Sequence, residues 1–412
     1  MKIAIVGAGI VGVTTAYELC RDGHEVSVFE QRSAAAEEAS FANAGLLGPW
    51  ATLPWATPCE LLKPHLTGAS TALRLASGFG KADLAWLWHW RRGHKQHNAR
   101  MAWMEPLAQY STARMQAIAT EHALDFEGHQ GRLVLLRTAQ QQAQWQALLQ
   151  PLQNMGVAVR EISPDQARQL EPGLSPEMPL VGALHFSQAA AGNCRLLAQL
   201  LRSGLQEAGV QWHFSKPIRR LRRSRPGVYV EGESGPRSFD AVVVCAGAAT
   251  AQLLQTQGRK LPMVSLYGYS VSAPLREPSH APLGSVLDAQ HHITITRLGQ
   301  RVRIAGGAEL GGHGEDTEHH TATLQKLYRA VQDWFPGGAL LSSGVQIWRG
   351  SRPTLPDGMP ILGATGLPGV WVNAGHGAAG WALAFGCARV LTDTIAQRSP
   401  EVDVQALGMQ RF

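Results

Sequence analysis

An α/β fold with a Rossmann-like sheet, interrupted by an inserted α+β domain, is what three features of the chain predict. A buried-strand pattern at the N-terminus runs straight into a glycine-rich turn and a helix. A second buried strand ends in small residues near position 245. A second glycine-rich turn opens a helix near position 380. The 412 residues suit two domains, and 45% apolar against 17% charged residues is a globular composition with ample core.

The first element, Lys2–Val6 (KIAIV), is apolar after Lys2, as in a strand covered on both faces. Gly7-Ala8-Gly9-Ile10-Val11-Gly12 follows and matches GxGxxG. A helix over Ile10–Arg21, stopped at Gly23, leads to a second strand, Glu25–Phe29, which ends at Glu30. Each part has a physical reason. Gly7 permits the tight turn, Gly9 lets the backbone approach a pyrophosphate, and Gly12 lets the helix pack against the strand. Ile10 and Val11 begin a helix whose free N–H groups and positive dipole end suit phosphates. Glu30 stands where a carboxylate accepts hydrogen bonds from a ribose diol, and an acid there argues against NADP.

Three later segments favour FAD over NAD. After Glu30 come Gln31-Arg32 and Ser40-Phe41-Ala42-Asn43-Ala44-Gly45, small and amide residues along which a long cofactor can track. A plain polar loop fits that composition equally well. A strand at 240–245 ends in Ala246-Gly247-Ala248, after a helix at 196–208 and a β segment at 211–214, as when the dinucleotide domain resumes after an insertion. A strand at 370–373 leads into Gly375-His376-Gly377-Ala378-Ala379-Gly380 and a helix at 381–396. No further strand and acid follow, so this is not a second nucleotide fold. It reads either as a strand–helix packing point or as a helix N-terminus aimed at the flavin N1–C2=O edge, which becomes negative on reduction.

Between these motifs, helices are expected at 106–121, 139–155 and 321–335, and strands at 131–137, 264–272, 292–297 and 301–304. They do not alternate strictly, as an inserted α+β substrate domain requires. The cofactor domain is assigned to 1–48, 187–260 and 340–412, and the substrate domain to 49–186 and 261–339. Residues 49–104 hold six of the twelve tryptophans: Trp50, Trp55, Trp86, Trp88, Trp90 and Trp103. Tryptophan beside Arg91 and Arg92 suits a membrane interface, but a helix packed over the core is favoured because tryptophan is usually largely buried. The basic run Arg219 to Arg225 has no interleaved aromatics and reads as a solvated hairpin rather than a nucleic-acid site.

The net charge of +6 suits an anionic ligand or an acidic membrane surface, without the signature of a nucleic-acid partner. Cys20, Cys59, Cys194, Cys245 and Cys387 form no CxxC pair, so neither a metal nor a disulfide framework is expected, and a reducing, cytoplasmic compartment fits. The apolar N-terminus belongs to the fold rather than to a signal peptide, and no clean apolar run of membrane-spanning length exists.

Taken together, the motifs resemble the bacterial FAD-dependent D-amino-acid dehydrogenases of small-subunit type, within the D-amino-acid oxidase superfamily. The likeness covers nearly the whole chain. GAGIVGVTTAYEL, SFANAGLLGPWATLPWATP and GYS carry it, and RGSRPTLPDGMPILG and NAGHGAAGWALAFG carry it most specifically. The resemblance implies a D-amino-acid-oxidase-like fold and oxidation of the Cα–N bond of a D-amino acid or related amine. Hydride passes to flavin N5, and electrons leave to a quinone or other acceptor, with peripheral contact at the inner membrane. It implies that Gly7, Gly9, Gly12, Glu30 and Arg32 hold ADP and that Ser40, Asn43, Ala44, Gly45 and Leu46 lie along pyrophosphate and flavin. Ala246 and Gly247 flank the cofactor, and Gly375 to Gly380 meet the ring. Arg352 matches the arginine that grips a substrate carboxylate, a planar guanidinium being suited to two parallel bonds. Tyr269 is a second candidate for that carboxylate or for the pocket wall, and His376 for the flavin or the amine. On bare sequence Arg352 equally suits a surface position, Tyr269 a half-buried strand and His376 a structural turn. The chain departs from the pattern at Tyr267, where lysine is usual, and at Gln188 to Asn193, where acidic residues are usual. Both changes remove charge and point to a bulkier, less polar or N-substituted substrate.

Overall fold

The computed structural model describes residues 1–48, 73–75, 78–93, 97–311 and 321–412, with the backbone alone for 93 and 97–102. Trp50, Trp55 and Cys59 lie outside the described residues.

Strand Lys2–Val6 is central to a six-stranded sheet. Glu25–Phe29 and Ala241–Val244 flank it in parallel. Beyond them lie Gln211–His213 on one side, and Val370–Ala374 then Ile361–Leu367 on the other, with only the last strand antiparallel. The runs KIAIV and AVVV are apolar because both faces are covered. Ile3 and Val243 pack under helices Ile10–Arg21, Cys194–Glu207 and Gly380–Ile395, while Ala4, Val242 and Val244 pack against a small sheet through Leu221 and Val228.

Glu18, fully buried in the first helix, ties this layer together. It accepts from Arg114 Nε and Nη2 at 2.5 Å each and from Arg389 Nη1 at 3.0 Å, and Arg389 also grips Asp22. A buried carboxylate cannot be stripped of its partners cheaply. The knot therefore fixes helix Ile10–Arg21 against helices His97–Glu121 and Gly380–Ile395, and with it the relative placement of the two glycine turns.

A ten-stranded mixed sheet forms the second layer. Its main path runs Gln346–Thr354, Val264–Pro274, Arg301–Leu310, Ile293–Leu298, Ser285–Asp288, His129–Leu136, Gly182–Ala191 and Leu46–Leu47. Leu46–Leu47 and Gln346–Thr354, from segments expected to serve the cofactor, thus pair in this second sheet. Helix Thr321–Trp334 covers one face through Leu327, Val331 and Trp334. The strand expected at 301–304 runs on to Leu310 through a bulge at Gly307 and Ala308, opposite Gly268, with Gly307 at φ +76°. The helix expected from Pro106 begins at His97 and carries the proline inside it.

The basic run forms the hairpin Ile218–Leu221 and Gly227–Val230, with Arg219 on Glu231 at 2.8 Å and Arg220 stacked 4.0 Å over Tyr229. In helix Lys81–Gly93, Trp86 is buried and its Nε1 donates to the Thr354 carbonyl at 3.0 Å, so this helix braces the second sheet. Leu84 and Trp88 of the same helix are 58% and 51% exposed and share its outer side with Arg91 and Arg92. Among the described residues, no helix is long and apolar enough to cross a membrane.

Candidate active site

A cavity of about 650 Å³ is walled by both sheets. On the first sheet it meets the carboxyl ends of the parallel strands, where open α/β sheets bind ligands. Gly7, Gly9, Ile10 and Val11 line it there, and the local conformation shows why glycine is needed. Gly7 has φ +105°, and a Cβ on it would lie 2.4 Å from the Cys245 carbonyl oxygen. A Cβ on Gly12 would lie 1.9 Å from the Gly7 carbonyl oxygen, so Gly12 holds helix to turn without itself reaching the cavity.

Glu30 lines the cavity at 8% exposure. Its Oε2 accepts from the Ala8 N–H at 2.7 Å and its Oε1 from the Arg32 N–H at 2.8 Å. Burial raises its pKa and the amide bonds oppose that rise. Each oxygen keeps a further lone pair for a diol. Gln31 lines the cavity, whereas Arg32 turns outward to Glu38 at 2.5 Å. Ser40 Oγ accepts from the Ile10 N–H at 3.0 Å and so caps the helix, whose own N-cap Gly9 has no side chain to do it. Asn43, Ala44 and Leu46 line the cavity, as do Ala246 and Gly247. Gly45 does not. Its φ of +77° turns the chain where a Cβ would lie 2.8 Å from the Gly192 carbonyl oxygen.

Gly375, His376, Gly377, Ala378 and Gly380 bring the second turn to the same cavity. Ala379 points into the core and its N–H donates to the His376 carbonyl at 3.0 Å. His376 is 4% exposed, and its Nε2 has no hydrogen-bond partner among the described residues. Burial lowers its pKa to about 4, so the imidazole is neutral at physiological pH. Because the folded value lies below the unfolded 6.5, the unfolded chain binds the extra proton first as pH falls. Stability should therefore drop between pH 6.5 and 4, by up to about 3 kcal/mol from this residue. Urea unfolding across that window should show a shallower loss for His376→Phe than for the parent; equal slopes would contradict the assignment.

Arg352 lies across Gly268, where a Cβ would sit 2.1 Å from Arg352 Nη2. Arg352 Nη1 donates to the Gly307 carbonyl at 2.9 Å, the oxygen turned by the bulge. No carboxylate pairs with it among the described residues, and burial lowers its pKa to about 10, so it remains a cation on the cavity wall. A backbone bridge between Thr354 and His376 links its strand to the second glycine turn. Tyr269 also borders the cavity, but its ring packs with Leu327 and Val331 on the opposite face of the strand from Arg352. Its hydroxyl donates to Glu309 Oε2 at 2.5 Å, a bond that, with burial, raises the phenol pKa. Tyr267, the departure from lysine, stacks under Arg349 at 3.7 Å, and Asn193 caps helix Cys194–Glu207 by accepting from the Leu196 N–H at 3.1 Å.

The sequence reading missed several wall residues: Gly268, Trp348, Asn373, Trp381 and Arg132, which is 3% exposed. Arg132 left a signal, a charge inside the strand run GRLVLLR. Gly268 stood in the GYS motif, but its part in the site shows only with Arg352 placed above it.

A nicotinamide dinucleotide needs one glycine turn. A cavity that also reaches a second turn, a helix N-terminus and a neutral histidine with an unpartnered nitrogen fits a flavin dinucleotide, and these features together define an FAD-dependent oxidoreductase. The chain belongs to the FAD dependent oxidoreductase family, matched over residues 2–394. It is 35% identical to a D-amino acid dehydrogenase of Cereibacter sphaeroides, over 100% of this chain and 95% of the relative. It is 32% identical to D-amino acid dehydrogenase 1 of Mesorhizobium japonicum, over the full length of both. Its fold is that of glycine oxidase from Geobacillus kaustophilus (TM-score 0.79, 21% identity, 100% of this chain and 98% of that one). It also matches iminodiacetate oxidase from Chelativorans sp. BNC1 (TM-score 0.74, 22% identity, 98% of each chain).

Proposed function

We propose that this chain oxidises D-amino acids to 2-oxo acids and ammonia and passes the electrons to a quinone-type acceptor. The observation that carries this reading is Arg352, a buried guanidinium without a carboxylate partner among the described residues, joined by its strand to the turn at His376. FAD, when bound, would supply the acceptor for the hydride leaving the substrate Cα. Everything else falls to the chain's own residues. Gly7, Gly9, Ile10, Val11 and Glu30 hold the ADP end, and the second glycine turn holds the ring end. Arg352 grips the carboxylate through two parallel N–H bonds and so sets which face of Cα is presented. Neutral His376 stands beside the reacting end without placing a second cation near the amine. Tyr269 shapes the wall through Glu309 rather than touching the carboxylate. The imine that leaves is hydrolysed by water.

The relatives' names support the amino-acid substrate, and their lengths match that of this chain. Wild-type enzyme should turn over D-amino acids with a quinone analogue faster than with oxygen. Rapid peroxide formation from glycine or N-methyl amino acids would point instead to an oxidase.

Peripheral contact with the cytoplasmic face of a membrane goes with a lipid-soluble acceptor. Leu84 and Trp88 beside Arg91 and Arg92 suit an anionic lipid surface. The enzyme should co-sediment with anionic vesicles and not with zwitterionic ones, and Leu84→Ser with Trp88→Ser should weaken this at least about fivefold. Equal sedimentation with both vesicle types, or none, would remove the contact.

A further inference from the structure

Besides His376, two buried side chains on the cavity wall carry polar atoms with no partner among the described residues. Asn373 is fully buried. Its Nδ2 donates to Thr15 Oγ1 at 3.1 Å, and its Oδ1 accepts from nothing. Trp381 is 3% exposed, packs edge-on against Phe126 at 6.3 Å between centroids, and its Nε1 donates to nothing. Both line the cavity. Buried donors and acceptors are costly to leave unmade, and native proteins rarely do so. These two are complementary in kind, one carbonyl acceptor and one N–H donor.

Their places in the fold say what they meet. Asn373 is the penultimate residue of strand Val370–Ala374 and leans on Thr15 of helix Ile10–Arg21, between the first glycine turn and the second. Trp381 stands in the first turn of helix Gly380–Ile395, directly after the second turn. With the pyrophosphate at the first turn and the ring at the second, the stretch between is the ribityl chain, whose hydroxyls donate and accept. We propose that Asn373 and Trp381 are side-chain ligands of FAD. Asn373 Oδ1 accepts from a ribityl hydroxyl, and Trp381 Nε1 donates to an acceptor atom at the ring end. This rests on the FAD assignment and not on the choice of substrate.

The test is made on holoenzyme. Trp381→Phe keeps the ring and removes the donor, and Asn373→Ala removes the acceptor. Each should release FAD roughly 5- to 30-fold faster on dilution. Trp381→Phe should also make the flavin midpoint potential more negative, because a donor favours the electron-rich reduced form. Release rates and potential within twofold of the parent would overturn the proposal. Should either variant fail to fold, a crystal structure of the wild-type holoenzyme decides. Trp381 Nε1 and Asn373 Oδ1 within hydrogen-bond distance of FAD uphold the assignment; water or protein partners overturn it. A wild type that D-amino acids do not reduce would count against the function above while leaving these outcomes intact.

Discussion

Gly12→Ala should yield protein that purifies with almost no bound FAD. The added Cβ would stand 1.9 Å from the Gly7 carbonyl oxygen and 2.9 Å from its carbon, both backbone atoms of the turn that faces the phosphates. No rotamer relieves such a contact, so helix Ile10–Arg21 must move off the strand. The Glu18 knot with Arg114 and Arg389 resists that movement from the other end of the helix. Overpacking of this kind costs about 1–3 kcal/mol or more, and here it falls on the N–H groups that the pyrophosphate needs. FAD affinity should fall at least about 100-fold, a loss of roughly 2.7 kcal/mol. Flavin absorbance per mole of protein after dialysis measures it. A Gly12→Ala protein with full flavin content would show that this turn is not where the dinucleotide sits.

Gly268→Ala should do the opposite: keep FAD and lose substrate. Its Cβ would lie 2.1 Å from Arg352 Nη2 and 2.3 Å from Cζ, but these atoms end a flexible side chain, so the fold survives while the guanidinium is displaced. The bond from Nη1 to the Gly307 carbonyl is lost with it. A misplaced charge-assisted pair is worth about 2–5 kcal/mol, so kcat/KM for D-amino acids should fall about 100-fold or more with flavin content unchanged. An unchanged kcat/KM would mean that Arg352 does not hold the carboxylate.

The sequence disclosed the parts of the molecule that rest on local physics. Lys2–Val6, Ile10–Arg21 and Glu25–Phe29 lie at their expected bounds because parallel strands buried on both faces and a glycine turn leave few alternatives. Less legible was whatever long-range pairing decides. The strand expected to stop at 304 continues through the bulge at Gly307, which shows only once its pairing with strand Val264–Pro274 is known. Tyr269, one residue from Gly268, belongs to the other face of the strand, and alternation cannot say which face looks at the cofactor until the sheet is placed. Asn373 and Trp381 entered only as a strand end and a helix start, since an unpartnered atom is visible only once every neighbour is fixed. The tryptophan segment divided: Trp86 is core, and Trp88 is surface.

The most direct test of the central claim is an anaerobic titration of the flavin band with D- and L-amino acids, on the wild type and on Arg352→Ala. The expected result is bleaching of the wild type by D-enantiomers alone, and an Arg352→Ala protein that keeps its flavin spectrum yet stays oxidised. A wild type that no D-amino acid reduces, or an Arg352→Ala protein that bleaches as readily as the parent, would contradict it.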